Sequence, residues 1–318
     1  MTGQFNIPVR VTRIEQVTPM IRRFTLERYD GGQLPGFSGG SHVVVTMRGD
    51  DRIHHNPYSL MGSPDDKRHY QISVRRDDEG RGGSLFMHTR VAEGDTLEVA
   101  PPTNLFALNR LAKRHILIAG GIGITPFMAQ LHELRRAGAD YQLHYSFRDQ
   151  ENAAFRNELE AACGRRITTY DASAGEFVQP GQLLAEQPLG THVYVCGPKG
   201  MIQAVNDAAF ELGWADSHVH WEEFAAPPVG KPFRVVLQKS DMEVTVPGSS
   251  SVLEALEDAG LQPNCLCRGG VCGECETVVV EGEVEHNDHF LPDDVKQTNS
   301  RMMICVSRAR SERLVLDL

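Results

Sequence analysis

The sequence predicts a multidomain fold in three parts. An antiparallel β-barrel comes first, an α/β domain on a parallel sheet second, and a small mixed sheet around a cysteine loop last. Three observations carry this. Residues Val9 to about Pro102 run in short β-like stretches broken by Gly and Pro clusters such as GGQLPGFSGG. From about Arg114 apolar strands alternate with helical segments. After a Pro/Gly stretch, Ala225 to Pro232, the chain reaches NCLCRGGVCGECET, Asn264 to Thr277. A chain of 318 residues is long enough for two or three domains.

In the first part VRVTRIEQV, RRFTLERY, SHVVVTM, YQISVRR and DTLEVAPP are the expected strands, with one helix from about Gly83 to Val91. Two loops carry candidate chemistry. Asn56-Pro57-Tyr58-Ser59-Leu60 sets an aromatic ring beside a hydroxyl, which suits a planar ligand; Tyr-Ser is also common in plain strands. Arg81-Gly82-Gly83-Ser84 stands at a helix start. Free N–H groups, an arginine and a hydroxyl there suit a phosphate. An ordinary cap with Ser84 as N-cap fits the same residues.

In the second part HILIAGG is a continuous apolar run ending in glycines, as a buried parallel strand would be. Thr125-Pro126 opens a helix, PFMAQLHELRRAG, with proline in its first turn. Further cycles follow: YQLHYSFR then NAAFRNELEAAC, ITTYDAS, THVYVCGP then GMIQAVNDAAFELGW, and a last strand, HVHWEEF, His218 to Phe224. Such sheets bind ligands at the C-terminal ends of their strands. Gly120-Gly121-Ile122-Gly123 and Cys196-Gly197-Pro198 fall there, though neither is G-x-G-x-x-G. Glycine leaves the backbone open to a flat ring or a pyrophosphate, so two such turns point to a nucleotide. Arg148, ending YSFR, either reaches a 2′-phosphate or pairs with a carboxylate.

In the third part Cys267, Cys272 and Cys275 are spaced C-x₄-C-x₂-C, and Cys305 follows in MMICV. This is the spacing of a plant-type [2Fe–2S] cluster. Each iron takes two thiolates, so one loop supplies three and a distant strand the fourth. Gly269, Gly270 and Gly273 let the backbone wrap and turn N–H groups towards sulfur. Zinc sites usually use two short pairs, and here the second half offers Cys305 alone. Cys265 breaks the four-residue gap and is read as a loop residue. FRVVLQ and MEVTVP form a hairpin, and Ser251 to Glu254 is a capping box opening the helix VLEALEDAG. ETVVVEGEVEH, MMICVSRA and RLVLDL supply further strands.

No apolar run approaches the ~18 residues of a membrane span. The opening MTGQFNIPVR lacks a basic-then-apolar signal pattern, and cluster thiols need reducing conditions, so a cytoplasmic location is expected. A net charge of −10 argues against a nucleic-acid partner. From Lys231 onward 9 Lys and Arg face 15 Asp and Glu, so this part holds −6 of the total. That suits docking to a basic patch on an electron acceptor, or is a plain solvated surface.

Together these pieces resemble the phthalate dioxygenase reductase family, reductases of Rieske oxygenase systems, over nearly the whole chain. The resemblance implies a flavin-binding β-barrel domain at 1–110, an NAD-binding α/β domain at 111–224, a linker at 225–232, and a β-grasp plant-type ferredoxin domain at 233–318. It implies FMN rather than FAD, NADH rather than NADPH, a [2Fe–2S] cluster, and a Rieske oxygenase component as acceptor. Tyr58 would pack on the flavin ring and Ser59 near its reactive edge, flanked by His55, Asn56 and Leu60. Ser73, Val74 and Arg75, with Arg81, Gly82, Gly83 and Ser84, would hold the ribityl chain and phosphate. Thr125 would lie near the flavin, and Phe224 would cover the ring until nicotinamide displaces it. Cys196, with Gly197 and Pro198, would lie close to hydride transfer. Gly120, Gly121, Gly123 and Arg148 would face the dinucleotide. Cys267, Cys272, Cys275 and Cys305 would ligate the cluster, and no catalytic acid or base is assigned. One departure stands out. The family's R-x-Y-S arginine is missing, and His54, His55, Asn56 and Pro57 precede Tyr58. Arg75, Arg76 or Arg81 would then carry that charge, and FAD stays open. Two alternatives also stand. One is a reductase for a di-iron or haem acceptor, whose relatives often place the ferredoxin domain first and use FAD. The other is a redox-sensing or zinc-bearing scaffold that binds nucleotide without turnover.

Overall fold

A computed structural model of the chain describes residues 6–49, 52–224 and 229–318. They divide into two compact units. One holds residues up to 47 and 58–224; the other holds the described part of 48–57 and of the chain from 229 to 318.

The first unit opens with β1 (Ile7–Thr18), β2 (Ile21–Arg28), β3 (Ser41–Arg48), β4 (Ile53–Ser59), β5 (His69–Arg75), α1 (Gly83–Thr89), β6 (Thr96–Val99) and β7 (Thr103–Asn104). Its sheet runs β3-β6-β1-β2-β5, with β7 on β3, and these pairs are antiparallel. Alternate residues of the strands point inward, as period-two patterning demands. Val9, Val11, Phe24, Leu26, Val43, Val45, Ile72 and Val74 meet in one core. Strand β4 crosses the division, so only Tyr58 and Ser59 of it belong to this unit.

The same unit continues as β8 (Arg114–Gly120), α2 (Thr125–Arg136), β9 (Asp140–Phe147), α3 (Arg156–Cys163), β10 (Ile167–Asp171), α4 (Pro180–Ala185), β11 (Thr191–Cys196), α5 (Lys199–Glu211) and β12 (Val219–Glu222). The sheet is parallel throughout, in the order β10-β9-β8-β11-β12. Central strands are covered on both faces, which is why β8 and β11 read as unbroken apolar runs. Leu117, Ala119, Tyr194 and Cys196 face one core with Leu131 of α2 and Leu159 of α3. Ile116, Ile118, Val193 and Val195 face the other with Leu184 of α4 and Val205 of α5. One helix begins later than expected. Asp149 accepts from the Asn152 N–H and closes a 3₁₀ turn, and Phe155 follows at φ 60, so α3 starts at Arg156. A local side-chain-to-backbone bond competes with the helix there.

The second unit contains β13 (Phe233–Leu237), β14 (Met242–Val246), α6 (Val252–Asp258), β15 (Glu276–Glu281), β16 (Val284–Glu285), α7 (Asp293–Thr298), β17 (Arg301–Met303), β18 (Arg308–Ala309) and β19 (Arg313–Leu316). Its main sheet runs β14-β13-β19-β15-β17, with β13 and β19 parallel and the other pairs antiparallel. The short strands β16 and β18 pair separately. Helix α6, with both halves of its capping box formed, packs Val252, Leu253 and Leu256 into this core. Of the expected linker, residues 225–228 lie outside the described residues. Its end is held down: Gly230 N donates to Gly248 O at 2.9 Å, and the fully buried Arg308 donates to Lys231 O at 3.0 Å. No helix among the described residues is long and apolar enough to cross a membrane.

Candidate functional site

The cysteine loop lies between α6 and β15. Cys267 and Cys275 are buried and Cys272 half-buried. Cys305 is also buried, but it lies in the turn after β17 and not in a strand, as the sequence had suggested. A turn releases the side chain from the strand's alternation, and its sulfur comes 3.1 Å from that of Cys275. The Gly269 N–H donates to Cys267 Sγ at 3.3 Å. Hydrogen bonds from Cys272 and Cys305, then the N–H groups of Val271 and Gly269, hold the Cys267 thiol far below its ordinary range. The same contacts push Cys272 and Cys305 up. Cys267 thus neighbours the other three thiols, and Cys275 neighbours Cys305. Among the described residues no three His, Cys, Asp or Glu groups converge on a single ion. A cage around two irons does not require this, because each iron takes two thiolates.

The loop's backbone explains its composition. Gly270 and Gly273 sit at φ 73 and 82. A Cβ on Gly273 would stand 2.3 Å from the Phe290 ring, and one on Gly270 would stand 2.6 Å from Val306 Cγ2. Arg268 adopts a left-handed φ of 54 without being glycine. Its guanidinium forms a two-point ion pair with Glu257 of α6, one bond at 3.0 Å, which fastens the loop to the helix.

The expected flavin residues gather at the ends of β4 and β5. Ser59 and Ser73 are buried, and neither hydroxyl has a hydrogen-bond partner among the described residues. Met61 N donates to Gln71 O at 2.9 Å. Tyr58 packs at the edge of the barrel core, while Leu60 and Val74 are fully buried. The carbonyl of Val74 accepts from His88 Nε2 at 2.8 Å, which ties α1 to β5. Gly82 caps α1 at φ 93 and Gly83 begins it, so Ser84 is not the N-cap. Its hydroxyl instead accepts from Asp77 N at 3.1 Å. Arg75 is exposed and Arg81 half-buried. In the second unit His55 and Asn56 are half-buried. Burial, then Arg268 and Arg48, lower His55 to about 4. It is neutral at pH 7 and does not replace the missing arginine as a cation. Two buried hydroxyls lacking partners fit a ligand with polar atoms along one edge, as a flavin has.

The nucleotide residues stand at the C-terminal end of the parallel sheet. The glycines have two distinct uses. A Cβ on Gly123 would meet Cys196 O at 2.2 Å, and one on Gly120 would meet Pro198 Cδ at 2.6 Å. These two serve the packing of one strand end on the next, Gly197 included. Only Gly121, at φ 54, faces open space. Thr125 Oγ1 donates to Ile122 O at 3.0 Å. Arg148 is exposed, and its guanidinium pairs with no carboxylate among the described residues. Phe224 is 48% exposed.

One residue was missed in the sequence. Glu222 is the register partner of Cys196 on the adjacent strand. Its Oε2 is buried with no partner among the described residues, and burial pushes the carboxyl up to about 8. Burial and then this carboxyl raise the Cys196 thiol. The strand's alternation carried the signal: Trp221 packs against one core, so Glu222 belongs to the face of Cys196.

Known proteins share this architecture. Residues 96–219 match a family model described as dimethylamine monooxygenase subunit DmmA-like, N-terminal domain, and residues 235–310 match a 2Fe-2S iron-sulfur cluster binding domain. The chain is 48% identical to the carnitine monooxygenase reductase subunit of Acinetobacter baumannii, over 98% of both chains. It is 45% identical to the heme-dependent oxidative N-demethylase beta subunit of Ectopseudomonas mendocina, over 98% of this chain and 99% of that one. The solved structure of a phthalate dioxygenase reductase superposes with a TM-score of 0.87 at 34% identity, over 99% of this chain and 98% of that one.

Proposed function

The chain belongs to the phthalate dioxygenase reductase family, and on that premise we propose that it is the NADH-dependent reductase component of a two-component Rieske-type oxygenase or demethylase. Electrons pass from NADH through FMN and a [2Fe–2S] cluster to the oxygenase. The observation that carries this reading is the thiol cage, with Cys275 and Cys305 sulfurs 3.1 Å apart, in a chain that aligns end to end with reductases of oxygenases. When bound, the flavin and the cluster turn the two electrons of one hydride into single electrons, so the protein's contribution is placement and tuning.

In this reading Cys267, Cys272, Cys275 and Cys305 hold the cluster, in a ferredoxin domain at 233–318. Ser59 and Ser73 bond the flavin's polar edge, and Tyr58 packs on its ring. Arg75, Arg81 and the turn Gly82 to Ser84 face its phosphate. Thr125 lies near the flavin, Gly121, Arg148 and Cys196 to Pro198 line the dinucleotide site, and Phe224 shields the ring when that site is empty. The barrel at 1–110 and the α/β part at 111–224 are then the flavin and NAD domains. The protein works in the cytoplasm, where cluster thiols stay reduced.

Mixing the anaerobic holoprotein with NADH in a stopped-flow spectrometer tests this. Flavin absorbance bleaches first and cluster absorbance follows. A flavin that bleaches beside a permanently oxidised cluster overturns the reading. A second reading has one observation in its favour. The Ectopseudomonas mendocina relative serves a heme-dependent N-demethylase and aligns over 98% of this chain. Domain order therefore does not separate a Rieske acceptor from a haem one. Reduction rates with one purified acceptor of each kind do.

A further inference from the structure

We propose that His192 and His220, with His218, form a binding site for one divalent transition-metal ion of the zinc type at the N-terminal edge of the parallel sheet. The site is distinct from both the cysteine cage and the nucleotide end. His192 lies near the start of β11 and His220 near the start of β12, which are hydrogen-bonded neighbours. Nδ1 of His192 and Nε2 of His220 face each other at 3.0 Å, in rings only 8° from parallel. Two facing imidazole nitrogens need something electrophilic between them. In the neutral pair it is a single proton. A metal bound at about 2.0–2.1 Å from each nitrogen would set them roughly 3.3 Å apart in a tetrahedral site. The nitrogens need therefore part by only about 0.3 Å, with each ring tilting so that its lone pair turns from the other nitrogen to the metal.

His218, in the turn entering β12, stacks on His192 with ring centroids 4.1 Å apart. No third donor converges on the pair among the described residues. His218 must turn about its side-chain bonds to join, and water fills the fourth position. Imidazole donors without thiolate or carboxylate suit zinc, nickel, cobalt or copper over magnesium or calcium. Two metal–nitrogen bonds replace one N–H···N bond; the shared proton passes, through solvent, to the other ring nitrogen of the histidine that donated it, so both imidazoles stay neutral and no electron moves. Tyr194, stacked on His220, and His115 beyond it keep the rings in place.

The location sets the role. β12 is the edge strand of its sheet. A metal joining it to β11 staples that edge. Four residues along β11, at ~3.3 Å each, separate His192 from Cys196 by about 13 Å, so metal and nucleotide do not compete.

Zinc titration of the holoprotein, with flavin and cluster in place, tests the site by calorimetry and by the unfolding temperature. The expected result is one zinc per chain and a raised unfolding temperature, with NADH oxidation by ferricyanide unchanged. His220→Gln should weaken zinc binding by more than about tenfold, the least that even loss of an outer partner of a ligand costs. His218→Gln should weaken it too, and this partly exposed position tolerates change if His192 variants do not fold. Zinc bound equally well by His220→Gln overturns the proposal. So does wild-type protein that takes up no zinc at neutral pH up to millimolar concentration.

Discussion

The sulfur of Cys275, at the entry to β15, lies 3.1 Å from that of Cys305, thirty residues on in the turn after β17. Two distant pieces of chain are thus brought to thiol contact without a disulfide. The neighbouring thiols of Cys272 and Cys305 hold that of a third, Cys267, below its ordinary range. Three local sulfurs and one remote one make a preformed cage, and the fold pins the remote one: Ile304 N donates to Cys275 O at 3.4 Å.

Cys305→Ser should therefore lose most iron and acid-labile sulfide while keeping its flavin. Cys265→Ser should keep both, because Cys265 packs against the core beside the cage and falls outside the C-x₄-C-x₂-C spacing. Iron, sulfide and flavin assays on the two purified variants check this. Equal iron in both would remove Cys305 from the ligand set.

Much of this was legible in the sequence, for a physical reason. Cluster spacing, strand–helix alternation and the Ser251 capping box are local patterns, and local patterns survive folding. What escaped depends on tertiary contacts. The late start of α3 follows from Asp149 capping a turn and from Phe155 lying under Arg23, whose guanidinium is 5.4 Å from the ring. The neutrality of His55 follows from its burial and then from Arg268, more than two hundred residues away. The glycines at 120 and 123 looked like an opening for a ligand, yet their empty side fits the Cys196 to Pro198 turn. Helices α4 and α7, six residues each, are too short to give a periodic signal.

Ser59 and Ser73 offer a test with opposite signs. A buried hydroxyl without a partner costs about 1–3 kcal/mol, while one satisfied by a ligand contributes about 0.5–1.5 kcal/mol. Ser59→Ala or Ser73→Ala should weaken FMN binding by roughly 2–10-fold. The flavin-free protein should unfold at the same or higher denaturant than wild type. Fluorescence titration with FMN and urea melts of the apoprotein give the two numbers. Destabilised apoprotein with unchanged FMN affinity would make the serines structural.

Arg308 is the largest fully buried side chain. It donates to the carbonyls of Ser250, Lys231 and Pro247, and stacks on Phe233 at 5.2 Å. Met in its place keeps the volume and strands three acceptors. At about 1–3 kcal/mol each, softened by relaxation and water entry, the expected loss is on the order of 3 kcal/mol. Urea unfolding followed by cluster absorbance should shift to lower denaturant, while the NADH-driven flavin bleaching rate stays the same.

Glu222 makes the stability of the first unit depend on pH. Its folded pKa is raised to about 8 from an ordinary 4.5. The folded state therefore keeps a proton that the unfolded chain releases. The stabilisation is fully present below 4.5 and is lost as pH rises towards 8. Glu222→Gln cannot ionise, so this loss should vanish. Across that range wild type should lose stability relative to the variant, with a slope of up to one proton and a plateau above the folded pKa. Urea melts of both proteins over the same pH series measure the difference. Parallel curves would mean that water reaches the carboxyl and that it ionises beside Cys196 as an ordinary glutamate does.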